Sequence, residues 1–249
     1  MEAFKGKYIR GVIGSLVIQT RKISAAVALF ELKEVVFKDL IHYPDLEIAA
    51  GRVTTIVGES GAGKTTLLKL LNGVVSPSSG ALTYDGTRIE DYDPVALRRE
   101  VLLCGQSPYL FEGTVRDNFA QFYRYRELVA PDEEQIQATL RLCVADFALD
   151  DDCLTMSGGE QQRVFIAICL SFLPRVLLLD EPTSALDDAT ARTLMTGLKA
   201  FCLERNITLV MVSHNSALVS EFADHNIVLA GDDTANKTAP DPILSGDAS

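Results

Sequence analysis

Apolar positions recur along the chain in two rhythms. From Phe30, the stretch FELKEVVF alternates apolar and polar residues as a half-buried strand does, and DLEIAAG reads as a second strand closed by a turn at Gly51. Together they predict an antiparallel edge region. VTTIV at 53–57 is a β-branched run that stops at a glycine-rich turn. KTTLLKLLNG then sets Leu67, Leu68, Leu70 and Leu71 on helical spacing and ends at Asn72 and Gly73. The local order is strand, glycine loop, helix. SPSSG at 76–80 marks a turn, ALTYDG a short strand and Pro94 to Arg99 a helical turn, after which the apolar run VLLCG leads into Gln106. From about Thr114 to Leu149 the pattern is mostly helical, with Pro131 and Asp132 opening a new helix and no convincing strand. Strand signals return with VLLLD (176–180), ITLVMVS (207–213) and NIVLA (226–230), separated by helical stretches at 188–205 and 215–224. Apolar runs joined by helical crossovers predict parallel strands covered on both faces, an α/β fold, and no internal repeat interrupts the order.

Composition narrows the function classes. The 249 residues suffice for one large α/β domain, or a core with a smaller lobe, and 47% hydrophobic with 23% charged residues excludes disorder over most of the chain. The balance of 23 basic and 34 acidic side chains gives a formal charge of −11, which disfavours a general nucleic-acid binder. The five cysteines form no CxxC pair and read as reduced thiols, and three histidines cannot build a multi-histidine metal site. No apolar run reaches the ~18 to 20 residues of a membrane helix. Gly11 to Gln19 is too short and is bounded by Arg10, Arg21 and Lys22, and Glu2 spoils it as a signal peptide. The expectation is a cytoplasmic protein that a partner can bring to a membrane. Residues 1–28 are expected as an extension of unknown role, 231–249 as a loose tail, and the acidic run within 132–152, which holds a single Arg141, as a solvated face.

Gly58, Glu59, Ser60, Gly61, Ala62, Gly63, Lys64 and Thr65 satisfy GxxxxGK[ST] between a predicted strand and a predicted helix. Glycines let the backbone bend so that several N–H groups converge on an anion, and the new helix directs its positive end there. Lys64 then reaches the β and γ phosphates of a nucleotide, the Thr65 hydroxyl completes part of a Mg²⁺ shell, and Thr66 joins the loop's contacts. An ordinary glycine turn explains the string but not the motifs downstream of it. VLLLDEP sets Asp180 and Glu181 at the carboxyl end of a strand expected beside the phosphate-loop strand, where open parallel sheets bind ligands. Asp180 is the expected Mg²⁺ holder and Glu181 the group that orients or deprotonates an attacking water, although alone the pair reads equally well as a helix cap. Ser157, Gly158, Gly159 and Glu160, after Met156, precede a second helix and make another bare helix start suited to phosphate. Two anion sites for one nucleotide are redundant unless each nucleotide is gripped by the phosphate loop of one subunit and the SGGE turn of another.

In order and spacing these motifs resemble those of ABC-type ATPases, the nucleotide-binding domains of ABC transporters, over about residues 30 to 230. The resemblance implies a P-loop NTPase core spanning 29–230, with a mostly parallel sheet, an antiparallel β edge region and a helical lobe at about 107–172. It likens Gln106, 42 residues beyond Lys64, to the Q-loop glutamine that senses metal and water. Ser184 to Asp187 resemble the D-loop, with Asp187 beside the nucleotide. His214 resembles the switch histidine that contacts the γ phosphate and steadies Glu181. Met156 and Glu160 stand where leucine and glutamine are usual. The aromatic platform for adenine is the least defined part, with Phe37 the first candidate and Tyr43 the second. The implied function is ATP binding and hydrolysis, with Mg²⁺, by a subunit that closes as a homodimer and powers transport through separate membrane permease subunits. These would dock along YLFEGTVRDNF (109–119), which places the chain at the inner face of the cell membrane. Wording there is similar to export-type ATPases, but the acidic stretch typical of large exporters is missing, so direction and substrate stay open. The alternative is a soluble ABC ATPase driving a cytosolic assembly such as an iron-sulfur cluster scaffold. Relatives acting on DNA or ribosomes carry long coiled coils or tandem domains, which are not seen here.

Overall fold

The structure is a computed structural model that describes residues 28–230; the expectations for 1–27 and 231–249 lie outside the described residues. Two sheets organise the chain. The first is antiparallel and comprises β1 (Ala28–Phe37), β2 (Ile41–His42), β3 (Leu46–Ala49), β5 (Ser79–Tyr84) and β6 (Thr87–Arg88), in the order β2-β1-β5-β6 with β3 also paired to β1. This is the edge region that the alternation of FELKEVVF and DLEIAAG predicts. The second is wholly parallel and comprises β4 (Val53–Gly58), β7 (Val101–Cys104), β8 (Val176–Asp180), β9 (Thr208–Val212) and β10 (His225–Leu229), ordered β10-β4-β9-β8-β7. VLLC is therefore a full member of the parallel sheet.

One expectation is corrected by this order. The strand that ends in Asp180 does not lie beside the phosphate-loop strand, because β9 is hydrogen-bonded between β4 and β8. The helix α1 (Lys64–Leu71), which follows β4, packs across to β8 and restores the proximity that strand adjacency does not supply.

The parallel strands are apolar throughout because each face meets a different layer. Along β8, Leu177 and Leu179 enter one core cluster while Val176 and Leu178 enter the other; along β9, Leu209 and Met211 part from Val210 and Val212 in the same way. The first cluster holds α3 (Val115–Tyr125), α4 (Glu133–Leu142), α5 (Gly158–Ser171) and α6 (Asp188–Glu204) through residues such as Phe119, Leu140, Ile168 and Leu194. The second holds α1, α2 (Pro94–Glu100) and the antiparallel sheet through Leu67, Leu97, Phe30 and Tyr84. Each such leucine contributes about 1.5–3 kcal/mol by leaving water. At the sheet's edge, α7 (Ser216–Phe222) leads into β10, whose His225, Asn226 and Val228 stay exposed as edge positions do.

Within 114–149 the two expected helices form, each opened by a capping box: Thr114 with Asp117 for α3, and Asp132 with Gln135 for α4. Isolated pairing of Thr114 with Asp152 is the only β contact in this block among the described residues. The acidic face is less purely solvated than its composition implies. Arg116, just outside that run, forks between Glu133 and Asp150, drawing the start of α4 and the 146–152 loop onto α3.

Candidate functional site

Four parallel strands release the functional groups at or just beyond their carboxyl ends. The phosphate loop follows β4, Gln106 follows β7, Asp180 and Glu181 end β8, and His214 follows β9. This is the rim where α/β sheets gather ligands, and strand order is what brings these distant positions together.

The loop is bent for close backbone approach. Gly63 caps α1 at φ 87°, with no side chain occupying the helix start, so the first N–H groups of α1 are left for an external acceptor. A Cβ at Gly63 would lie 2.9 Å from both Ile41 Cγ2 and the Tyr43 hydroxyl, so the position excludes larger residues on steric as well as conformational grounds. Lys64 is 6% exposed and its Nζ donates to the Gly58 carbonyl at 2.9 Å and the Glu59 carbonyl at 2.7 Å. These contacts fold the ammonium back along the inside of the loop. Glu59, Ser60, Gly61 and Thr65 are exposed, while Ala62 is buried and Thr66 half-buried.

Tyr43 has a different role from a base platform. Its hydroxyl donates to the Gly63 carbonyl at 2.9 Å, its ring is buried, and burial pushes the phenol up to about 12. It braces the phosphate loop from behind and has no free face for stacking, which corrects the second-choice reading of this residue. Phe37 ends β1 half-buried on the same hairpin, paired with Ile41, with the Lys38 Nζ 5.4 Å from its ring centroid.

The acidic pair separates into two environments. Asp180 is buried and accepts the Thr65 hydroxyl at 2.9 Å. Burial raises its carboxyl above the ordinary value and the Glu181 charge adds to the rise, whereas the Thr65 hydrogen bond and Lys69 and Lys64 oppose it. Glu181 adopts φ 52°, unusual for a residue with a side chain, and its N–H donates to the Val212 carbonyl at 3.2 Å. Its carboxylate is held from two sides: His214 Nε2 lies 3.0 Å from Oε1, and Gln106 Nε2 donates to Oε2 at 3.2 Å. Gln106 thus meets Glu181 rather than Asp180. The carboxylate is a quarter exposed and the imidazole half exposed, so the trio opens to solvent.

Ser157 and the two glycines line a groove that meets this cluster at Gln106. The groove, of about 830 Å³, is lined by Gln106, Ser157, Gly158, Glu160, Ser184 and Asp187, among others, and by no phosphate-loop residue. A Cβ on Gly159 would come 3.1 Å from Ala185 Cβ, a tight contact that the 184–187 loop would have to yield to accommodate. A Cβ on Gly158 would meet nothing within 4 Å, so nothing in this subunit requires it. Asp187 caps α6, accepting from the N–H groups of Ala189 and Thr190 and from the Thr190 hydroxyl. Capping thus occupies the Asp187 carboxylate within this subunit. A cleft of about 750 Å³ between β1, β3 and β10 carries none of these residues. Sequence reasoning misses Gln162, which is buried with Nε2 3.5 Å from the Asp180 carbonyl and links α5 to β8. Its signal is a polar residue on an otherwise apolar helix face.

A parallel sheet with a phosphate loop, an acidic pair steadied by a glutamine and a histidine, and a second glycine-flanked helix start defines an ABC-type ATPase. The ABC transporter family profile matches residues 41–184, and the chain belongs to that family. It is 34% identical over 190 residues to the probable iron export ATP-binding protein FetA of Escherichia coli (strain K12), covering 76% of this chain and 84% of FetA. It is 35% identical over 207 residues to the protein STAR1 of Oryza sativa subsp. japonica, covering 83% of this chain but only 60% of STAR1. Among solved structures it resembles a dimeric, post-hydrolysis state of the ATP-binding cassette MJ0796 bound to ADP and Pi, with TM-score 0.69, 26% identity and coverage of 80% of this chain and 94% of that one.

Proposed function

We propose that this chain is the ATP-hydrolysing subunit of an ABC transporter, that two copies close head to tail around two ATP molecules, and that separate membrane subunits take up the motion. The observation that carries this reading is the separation of the two anion-binding helix ends: the groove at Ser157 and Gly158 contains no part of the phosphate loop. The absence of any internal reason for glycine at 158 supports an approach from outside the subunit. Each phosphate group then bridges opposing helix starts and offsets the repulsion between two acidic chains.

Glu181 is the water-activating carboxylate, with His214 and Gln106 fixing its two oxygens. Water attacks the γ phosphorus and the bond to the ADP oxygen breaks. The water's proton passes to Glu181 and returns to the departing phosphate. Lys64 offsets phosphoryl charge and the Ser157 hydroxyl stabilises it by a hydrogen bond. Thr65 and Asp180 fit Mg²⁺, being hard oxygen donors 2.9 Å apart. No group of three or more His, Cys, Asp or Glu side chains suited to a metal ion occurs among the described residues. Bound there, Mg²⁺ supplies Lewis-acid stabilisation of phosphate charge.

Membrane coupling is supported by the 109–119 strip. Tyr109 and Tyr125 are 67% and 63% exposed and meet Phe111, which also touches Phe122, giving an aromatic surface of the kind interfaces use. No helix among the described residues is long and apolar enough to cross a membrane; this reading assigns the crossing to a separate permease chain. Glu181→Gln is expected to slow turnover by about 100-fold or more while ATP still binds and a closed dimer accumulates. An unaltered rate overturns the assignment. Recovery in the membrane fraction with the native partner separates the transporter from a soluble assembly ATPase.

A further inference from the structure

The start of α5 already carries an anion. Glu160 Oε2 accepts the Ser157 backbone N–H at 2.7 Å and the Ser157 hydroxyl at 2.7 Å, whereas the return bond from the Glu160 N–H to Ser157 Oγ is long, at 3.4 Å. A serine hydroxyl has one proton to donate. In the free subunit that proton is committed to the Glu160 carboxylate, and a phosphate oxygen, which is purely an acceptor, has to displace the carboxylate to receive it. These same two hydrogen bonds hold the Glu160 carboxyl below its ordinary value, so it stays ionised at neutral pH. The side chain sits in the groove beside Gly158, where the approach is unobstructed.

Resting on the shared-nucleotide reading above, we infer that Glu160 is a positioning residue that holds the Ser157 hydroxyl until closure and so weakens the ATP-bound dimer. The carboxylate competes with phosphate for both the hydroxyl proton and the positive end of α5. A glutamine at 160 keeps a side-chain acceptor for the cap but removes the charge.

The test measures ATP-dependent dimer dissociation constants by sedimentation with Mg-ATP in a Glu181→Gln parent. Adding Glu160→Gln is expected to tighten the dimer roughly three- to tenfold. Glu134→Gln, which makes the same charge change at an exposed position of α4, is expected to leave it unchanged. The gain is expected to shrink as salt is raised and to be smaller in a Ser157→Ala background, because without the hydroxyl only the competition for the positive end of α5 is left to relieve. A cap that serves helix stability alone would alter only the melting of the nucleotide-free monomer. Equal or weaker dimerisation of Glu160→Gln, while Ser157→Ala still weakens the parent, overturns the inference alone. So does equal tightening by Glu134→Gln. A parent with no ATP-dependent dimer, or one indifferent to Ser157→Ala, overturns the shared-nucleotide reading and the inference with it.

Discussion

Phe37 and Tyr43 flank the same hairpin, and their surroundings assign them different work. Tyr43 is buried with its hydroxyl on the Gly63 carbonyl, whereas Phe37 is half-buried at the end of β1. Tyr43→Phe removes one hydrogen bond and is expected to cost about 1 kcal/mol of stability in urea unfolding. It should weaken ATP and inorganic triphosphate to the same small extent, because it loosens the loop that both use. Phe37→Ala should instead weaken ATP binding about tenfold, the loss of one base-stacking contact, and leave inorganic triphosphate binding intact. Equal losses for both ligands in Phe37→Ala would remove the base-stacking role. The family resemblance implies an aromatic near the loop, and the sequence offers these two. It cannot show which ring is buried, because the contact from Tyr43 to Gly63 spans 20 residues and leaves no periodic trace.

At the level of elements, the helix starts agree with the sequence reading in position but not always in chemistry: Asp132 opens α4 as expected, whereas the start read as bare at Ser157 is closed by a capping box with Glu160. Thr114 with Asp117, Asp132 with Gln135 and Ser157 with Glu160 all form reciprocal boxes. Hydrogen bonds from the Thr114 N–H and hydroxyl lower the Asp117 carboxyl, those from Thr190 lower Asp187, and those from Ser157 lower Glu160. A carboxyl lowered in the folded state adds stability that is present above its unfolded value and is lost as pH falls through its folded value. Melting of the nucleotide-free chain should therefore fall on acidification below the ordinary carboxylate range. Thr114→Ala should cost about 1 kcal/mol at neutral pH and make that acid decline shallower; an unchanged acid limb would rule the cap out as a source of it. Strand order, by contrast, is beyond local reading. The run VLLLD reads as a neighbour of VTTIV, but β9 intervenes, because nothing in an apolar run encodes which neighbour it pairs with. The run VLLC is too short to stand out as the fifth parallel strand. The convergence of Gln106 and His214 on Glu181 likewise depends on that strand order: motif resemblance identifies the three residues, and only the sheet brings their atoms within hydrogen-bonding distance.

For the whole molecule, charge and the proposed closure of two copies pull in opposite directions. A chain of formal charge −11 meeting its copy must overcome long-range repulsion, and each bound nucleotide adds negative charge to the approach. In the proposed closed dimer the attractions are short: phosphate oxygens against the N–H groups at the starts of α1 and α5, in a groove from which closure would remove water. Screening acts on the first force far more than on the second, because the Debye length falls to about 10 Å at 0.1 M salt while desolvated contacts lie well inside it. Turnover per subunit should therefore rise with protein concentration, and the concentration giving half-maximal rate should fall as salt is raised from roughly 20 to 150 mM. Steady-state ATPase titrations at two salt concentrations check both. A rate per subunit that is independent of protein concentration would mean that a single copy holds a complete site. A half-maximal concentration that climbs with salt would mean that complementary surface charge, not phosphate at the helix starts, draws the two copies together.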